Sequence, residues 1–367
     1  RNKRGAPVVT SKRWLKTQPI AFIFNNDIDE PTRQNIRKAT QKIAENTCLS
    51  FQENGAGTQL QFHRGGGCWS YIGNKMTGKQ PISIDKGCTN VKIISHEISH
   101  ALGIDHTQTR KDRDTYVTIN VGAVAEEDTH NFDKHTDAEN NNFGVPYDYG
   151  SAMHYGRYHL SANGQAVIVP TQAGYENTIG QERTVTFNDY KLINALYECS
   201  ANCPKQMACQ NGGYTSPKNC NACVCNDFYT GTNCETPRTT ITLTGTAETA
   251  FNQAYNATLY ASGNNQNWDM FGKDAVKIIR APEGKKIKVT INQINAANGQ
   301  LGCYEGCPFV GLEFVDNAAA DLTLAGKLYC CKKDENFSFT SKSNVIGYKA
   351  YASPGMPFDG TVTYTVV

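Results

Sequence analysis

The run "HEISHALGIDH", His96 to His106, decides how the rest of the chain is read. It holds three of the eight histidines. Upstream, Asn90-Val91-Lys92-Ile93-Ile94-Ser95 opens a helix, and Ile94, Ile98 and Ala101/Leu102 recur at helical spacing. His96 and His100 are four residues apart, so both imidazoles leave one helix face. Glu97 stands beside the first, within reach of a water held at the same place. Gly103 permits the left-handed backbone that ends a helix and turns the chain. That turn brings His106 back as a third donor. Three neutral imidazoles with one position left for water form an open zinc site, the catalytic kind rather than the closed structural kind. Two histidines four apart are ordinarily solvated, and H-E-x-x-H alone arises by chance. The full H-E-x-x-H-x-x-G-x-x-H run specifies five residues, which makes a chance match far less frequent and points to a metal centre.

The 367 residues predict two or three domains, and 39% hydrophobic with 10% aromatic residues is enough for packed cores. A formal net charge of +2 argues against nucleic acid or an anionic membrane as the main partner. No run of ~18 apolar residues exists, so no membrane span is expected. No secretory leader is read at the start, so a processed or trimmed form is expected. Fourteen cysteines, six of them within 203–234, do not suit a reducing cytosol and predict a secreted, extracellular protein. Asn256-Ala257-Thr258 and Asn336-Phe337-Ser338 have the form of glycosylation acceptors at Asn256 and Asn336.

Along the chain, Arg1-Asn2-Lys3-Arg4 has the form of a proprotein-convertase site, the other reading being a solvated N-terminus. Residues 14–26 read as a strand, with Ile20, Phe22 and Phe24 alternating. Asp29-Glu30-Pro31 reads as a helix start, continued by Ile36, Ala39, Ile43 and Thr47 into Cys48. Residues 58–63 and 81–85 read as strands around Gly65-Gly66-Gly67. Residues 120–185 are loop-rich, and a last helix runs from Asn188 to Tyr197, before Cys199. In 201–236 cysteines are too dense for an apolar core, and disulfides must hold the segment. From 237 onward Thr, Val, Ile and Tyr dominate, as in a β-sandwich. Cys330 and Cys331 are adjacent, so each is expected to bond one of Cys303 and Cys307 rather than the other.

Beyond the histidines, Arg110-Lys111-Asp112-Arg113-Asp114 and Ser151-Ala152-Met153-His154-Tyr155 complete a pattern that closely resembles the astacin family. The resemblance covers roughly residues 5–200. It implies an α+β fold, with a mixed sheet, long helices and a loop-rich lower half, and one zinc ion held by His96, His100 and His106. It also implies Met153 as a hydrophobic floor under the metal, Tyr155 as a further ligand, and the pairs Cys48–Cys199 and Cys68–Cys88. Residues 201–236 resemble an EGF-like module, which implies Cys203–Cys220, Cys209–Cys223 and Cys225–Cys234. Residues 237–367 are similar, more distantly, to the CUB domains of nematode members of the family, through Ile279–Lys285 and Leu328–Cys331. Residues 1–4 are then the end of a propeptide, cleaved after Arg4 by a proprotein convertase or another protease.

Two positions depart from the family. It has glutamate after the third histidine, which helps hold the buried ammonium of the mature N-terminus; here that residue is Thr107. With cleavage after Arg4 the terminus is Gly5, and Trp14 stands where the family has tryptophan. An arginine in an I-G-Q-R segment favours an acidic residue after the scissile bond in many members. Here the segment is Ile179-Gly180-Gln181-Glu182-Arg183, so Glu182 takes the arginine's place and Arg183 is displaced by one.

The expected chemistry is hydrolysis of internal peptide bonds in protein substrates, extracellular matrix among them. Glu97 acts as general base and then acid, and Tyr155 hydrogen-bonds the developing oxyanion. An alternative reading is a catalytically impaired matrix-binding protein acting through its EGF-like and CUB-like parts. A purely structural zinc protein would need a fourth strong ligand.

Overall fold

A computed structural model describes residues 12–75, 78–136, 141–243, 276–296, 304–352 and 358–367. Arg4, Gly5, Asn256 and Cys303 lie outside these residues. The chain divides into two compact units. The first comprises Arg1–Thr171, Val185–Gln206 and Thr215–Asn221; the second comprises Gln172–Thr184, Met207–Tyr214 and Ala222–Val367. Gln172–Thr184 groups with the second unit, and the cysteine-rich stretch is shared between the two.

The first unit is built on a five-stranded sheet of order β2-β1-β3-β5-β4. Its strands are β1 (Ile20–Phe24), β2 (Phe51–Glu53), β3 (Gln59–His63), β4 (Cys68–Ser70) and β5 (Lys79–Ile84). All neighbours run parallel except β4, which pairs antiparallel with β5 at the edge. Leu60 and Phe62 alternate inward on β3, and Ile82 and Ile84 on β5. Helix α1 (Glu30–Asn46) starts at Asp29, whose side chain accepts from the Thr32 N–H, with Pro31 in the first turn. It buries Ile36, Ala39 and Ile43, the periodic face read from the sequence. The same unit holds β6 (Val117–Ile119), β7 (Ile168–Pro170) and α3 (Phe187–Leu196).

Helix α2 (Val91–Leu102) carries the two closely spaced histidines. Asn90 caps its start by accepting from Ile93 N–H, and Gly103 ends it at φ 105°. The last carbonyls of a helix have no partner within it. Here Trp14 Nε1 donates to Ala101 O at 2.8 Å and Tyr197 Oη donates to Leu102 O at 2.9 Å. The end of α2 is therefore fixed from both sides, where the chain leaves for His106. Gly103→Ala is expected to cost about 1–3 kcal/mol, because a Cβ strains this left-handed position. A lower urea midpoint at unchanged slope would report it; an unchanged midpoint would contradict it.

Among its described residues the second unit is built mainly of strands. After β8 (Tyr214–Thr215), where the chain passes between units, come β9 (Cys223–Val224), β10 (Tyr229–Thr230) and β11 (Thr236–Pro237). One sheet then contains β12 (Thr240–Thr242), β13 (Val276–Arg280), β18 (Val345–Ala352), β15 (Val310–Val315) and β16 (Lys327–Tyr329) in that order. A second sheet has the order β17 (Ser338–Thr340), β14 (Ile287–Ala296), β19 (Phe358–Val366). Val289, Ile291, Val362 and Tyr364 of the smaller sheet share one core with Ile279, Leu312, Phe314 and Tyr348 of the larger. A further cluster joins Phe228 and Tyr229 to Val276, Ile278, Val315 and Val345. A Cβ on Gly347 would stand 2.5 Å from the Phe228 ring, so this packing requires glycine there.

In the first unit disulfides join Cys48 to Cys199, Cys68 to Cys88 and Cys203 to Cys220. In the second they join Cys209 to Cys223, Cys225 to Cys234 and Cys307 to Cys330. Cys331 is also disulfide-bonded. Among the described residues no helix is long and apolar enough to cross a membrane.

Candidate metal centre

His96, His100 and His106 bring one nitrogen each to within 4.8 Å of one another. Two come from successive turns of α2, the third from the chain after Gly103. His100 Nε2 and His106 Nε2 lie 3.1 Å apart. The outward nitrogens decide what this cluster is. His96 Nδ1 lies 2.7 Å from Ala152 O, and His100 Nδ1 lies 2.8 Å from Ile104 O. His106 Nδ1 lies 3.4 Å from Asp105 Oδ1. The Nδ1 atoms of His96 and His100 thus each face a main-chain acceptor, which places the proton there and turns the Nε2 lone pair inward, while His106 has the Asp105 carboxylate near its Nδ1. Burial, reinforced by neighbouring His100, holds His96 well below the usual histidine range, so it stays neutral. Three neutral imidazoles with backed Nδ1 atoms are a donor set suited to zinc.

The profile of the astacin peptidase family matches residues 8–198. Zinc metalloproteinase nas-28 of Caenorhabditis elegans is 32% identical over 361 residues, covering 95% of this chain and 70% of that protein. The chain belongs to the astacin family. Zinc metalloproteinase nas-32 of the same organism is 38% identical over 320 residues, covering 85% of this chain but 46% of the relative. The high choriolytic enzyme 1 structure, a hatching enzyme zinc-protease of the medaka Oryzias latipes, aligns at 34% identity with a TM-score of 0.48. It covers 52% of this chain and 96% of that one. As an astacin, the chain carries the zinc metalloendopeptidase framework, and its three histidines form a cluster that could hold one zinc ion.

The turn around Met153 buttresses this astacin's cluster. Ala152 supplies the acceptor for His96, and Met153, 2% exposed, accepts from Thr107 N–H through its carbonyl at 3.0 Å. Asp189 holds the turn from α3. Its carboxylate accepts from Ser151 Oγ at 2.5 Å and Ala152 N–H at 2.8 Å, while completing the capping box with Thr186. Burial pushes the Asp189 carboxyl upward, against these hydrogen bonds. Thr107 is buried and donates to Ser151 Oγ at 2.9 Å. Glu97 is 4% exposed on α2. The Tyr155 ring stands 4.3 Å from that of His106 and 4.1 Å from that of His159.

Glu182 is exposed, whereas Arg183 is buried in the second unit. Its guanidinium pairs with Glu313 and lies 3.9 Å over the Tyr351 ring. Asn336 is exposed, at φ 61°. Sequence reasoning missed Asp105 and Asp189. A carboxylate directly before a third histidine was the available signal for Asp105. Asp189 had only its place in a capping box.

Proposed function

We propose that the chain is a secreted endopeptidase that hydrolyses internal peptide bonds of proteins, with Glu97 as general base. The observation that carries the reading is the convergence of one nitrogen from each of three imidazoles, two of them hydrogen-bonded from behind by main-chain carbonyls and the third beside a carboxylate, with Glu97 on the same helix. His96, His100 and His106 would hold a zinc ion, which would supply an acidified water and a Lewis acid for the substrate carbonyl. Glu97 takes the proton from the attacking water and returns one to the leaving amine. Glu97 is buried, so little bulk water competes for its carboxylate. Tyr155 donates its hydroxyl hydrogen bond to the developing oxyanion, and can serve as a further ligand before substrate arrives. Met153 provides an apolar floor.

Residues 201–236 are proposed as an EGF-like module and 237–367 as a CUB-like domain that bind large protein substrates, matrix proteins among them. The disulfide-rich strands and the two sheets sharing a core support this. Disulfides in both units support an extracellular location, and the exposure of Asn336 supports glycosylation there. Activation after Arg4 is proposed from the basic run. A weak preference for an acidic residue after the cut is proposed from Glu182 and from the engagement of Arg183 by Glu313.

Incubating the full chain with an unfolded protein substrate tests the activity. Internal cleavage that stops with a zinc chelator and returns on adding zinc is expected. No cleavage by the zinc-loaded chain would favour the impaired matrix-binding reading.

A further inference from the structure

We propose that Asp105, held in place by His135, is a positioning residue that orients and strengthens His106 as a metal donor. The inference rests on the zinc reading above. The three donors are not backed alike. His96 and His100 face main-chain carbonyls, whereas His106 faces a carboxylate. They are not held alike either. The first two project from α2, whose end is pinned by Trp14 and Tyr197, while His106 lies on the segment beyond Gly103. The donor with the least support from regular structure is the one beside a charged partner.

Both carboxylate oxygens of Asp105 are committed. Oδ1 accepts the His106 main-chain N–H at 2.7 Å and lies 3.4 Å from its ring Nδ1. Oδ2 lies 3.1 Å from His135 Nε2. The Asp105 and His135 side chains are 6% and 7% exposed, so water competes little for these bonds. His135 comes from 30 residues further along, and its own main-chain N–H donates to Thr109 O at 2.9 Å. His135 therefore limits rotation of Asp105, and Asp105, bonded to the His106 main-chain N–H, keeps its charge beside the His106 ring. A carboxylate behind a ligating imidazole fixes its tautomer and raises its basicity, and losing such a partner weakens metal binding about 10–100-fold.

The test is zinc affinity of the full chain by chelator competition, with the visible spectrum of the cobalt-loaded protein and the melting temperature of the metal-free protein alongside. Asp105→Asn keeps the shape and removes the charge. It is expected to weaken zinc binding about 10–100-fold and to shift the cobalt spectrum. His135→Ala touches no donor directly. It should weaken zinc severalfold in the wild-type background and have little further effect in the Asp105→Asn background, and His135→Gln should restore most of the loss. A zinc affinity of Asp105→Asn within threefold of wild type overturns the proposal. So does a His135→Ala loss that is equal in both backgrounds, since His135 would then act independently of Asp105. Should Asp105→Asn fail to fold, the comparison of His135→Ala with His135→Gln still decides, because restored affinity requires the Asp105 contact. Wild-type protein that binds no stoichiometric zinc would refute the zinc reading itself, an outcome separate from either of these.

Discussion

Glu97→Gln is expected to lower kcat for peptide hydrolysis by about 10²–10⁴-fold while leaving one zinc per chain. Glutamine preserves the shape of a side chain that is 4% exposed, so α2 and its two histidines should keep their places. An amide oxygen cannot take the proton that the attacking water must lose. The distinction from a folding defect lies in the metal. A variant that unfolds loses zinc and activity together, whereas this one should lose activity alone, with unchanged far-UV dichroism and unchanged zinc content. A fall of less than tenfold with zinc retained would remove Glu97 from the general-base role.

Glu313→Gln should destabilise the second unit by about 3–5 kcal/mol. Glu313 Oε2 pairs with Arg183 at 3.1 Å, while Oε1 lies 3.6 Å from Lys349 Nζ and accepts Gly326 N–H at 2.8 Å. Burial alone would raise the carboxyl of Glu313, but the charges of Lys349 and Arg183, with the Gly326 N–H, outweigh it and hold it down to about 2. Its neutral replacement leaves Arg183 buried without its carboxylate, and removes one of the two carboxylates beside Lys349, the other being Asp227 at 2.8 Å. Hydrogen exchange of β15 and β18 in the full chain reads this locally, as at least hundredfold faster exchange. Arg183→Met together with Glu313→Met should recover part of the loss, because a stranded charge costs more than a missing pair.

The sign of the pH dependence follows from the lowered carboxyl. The stabilisation is complete above the unfolded value of about 4.3 and is lost as pH falls towards 2. Wild-type protection in β15 and β18, corrected for intrinsic exchange, should therefore hold from neutrality to about pH 4.5 and fall below it. The glutamine variant should lack that step. A change of under 1 kcal/mol in the variant would show that the ion pairs are incidental.

What the sequence revealed, it revealed through short-range pattern. Helix α2 was legible because its periodicity, its Asn90 cap and its Gly103 stop lie within 14 residues. Strands β1, β3 and β5 were legible through alternation or apolar runs. Strands β2 and β4 were not, since three residues carry no period and form only because β1 and β5 offer an edge. The convergence of His106 with α2 followed from one glycine, but what stands behind each imidazole did not. Ala152 lies 56 residues from His96 and His135 lies 30 from Asp105. Arg183 and Glu313 are 130 residues apart. Reading 179–183 against a family register suggested a role beside substrate for Arg183, and nothing local pointed to a buried partner in β15.

The Cys48–Cys199 bond spans 151 residues, from the end of α1 to just beyond α3. A proteolytic enzyme at high concentration encounters its own surface loops as substrate. A single nick anywhere between those cysteines cannot release a fragment, because the two ends remain stitched through sulfur. The nicked molecule keeps the stretch bearing the catalytic helix tethered to the rest, and it separates into two pieces only when a reductant is present. The bond thus keeps a chain nicked once between those cysteines in one covalent piece for as long as the sulfurs stay oxidised.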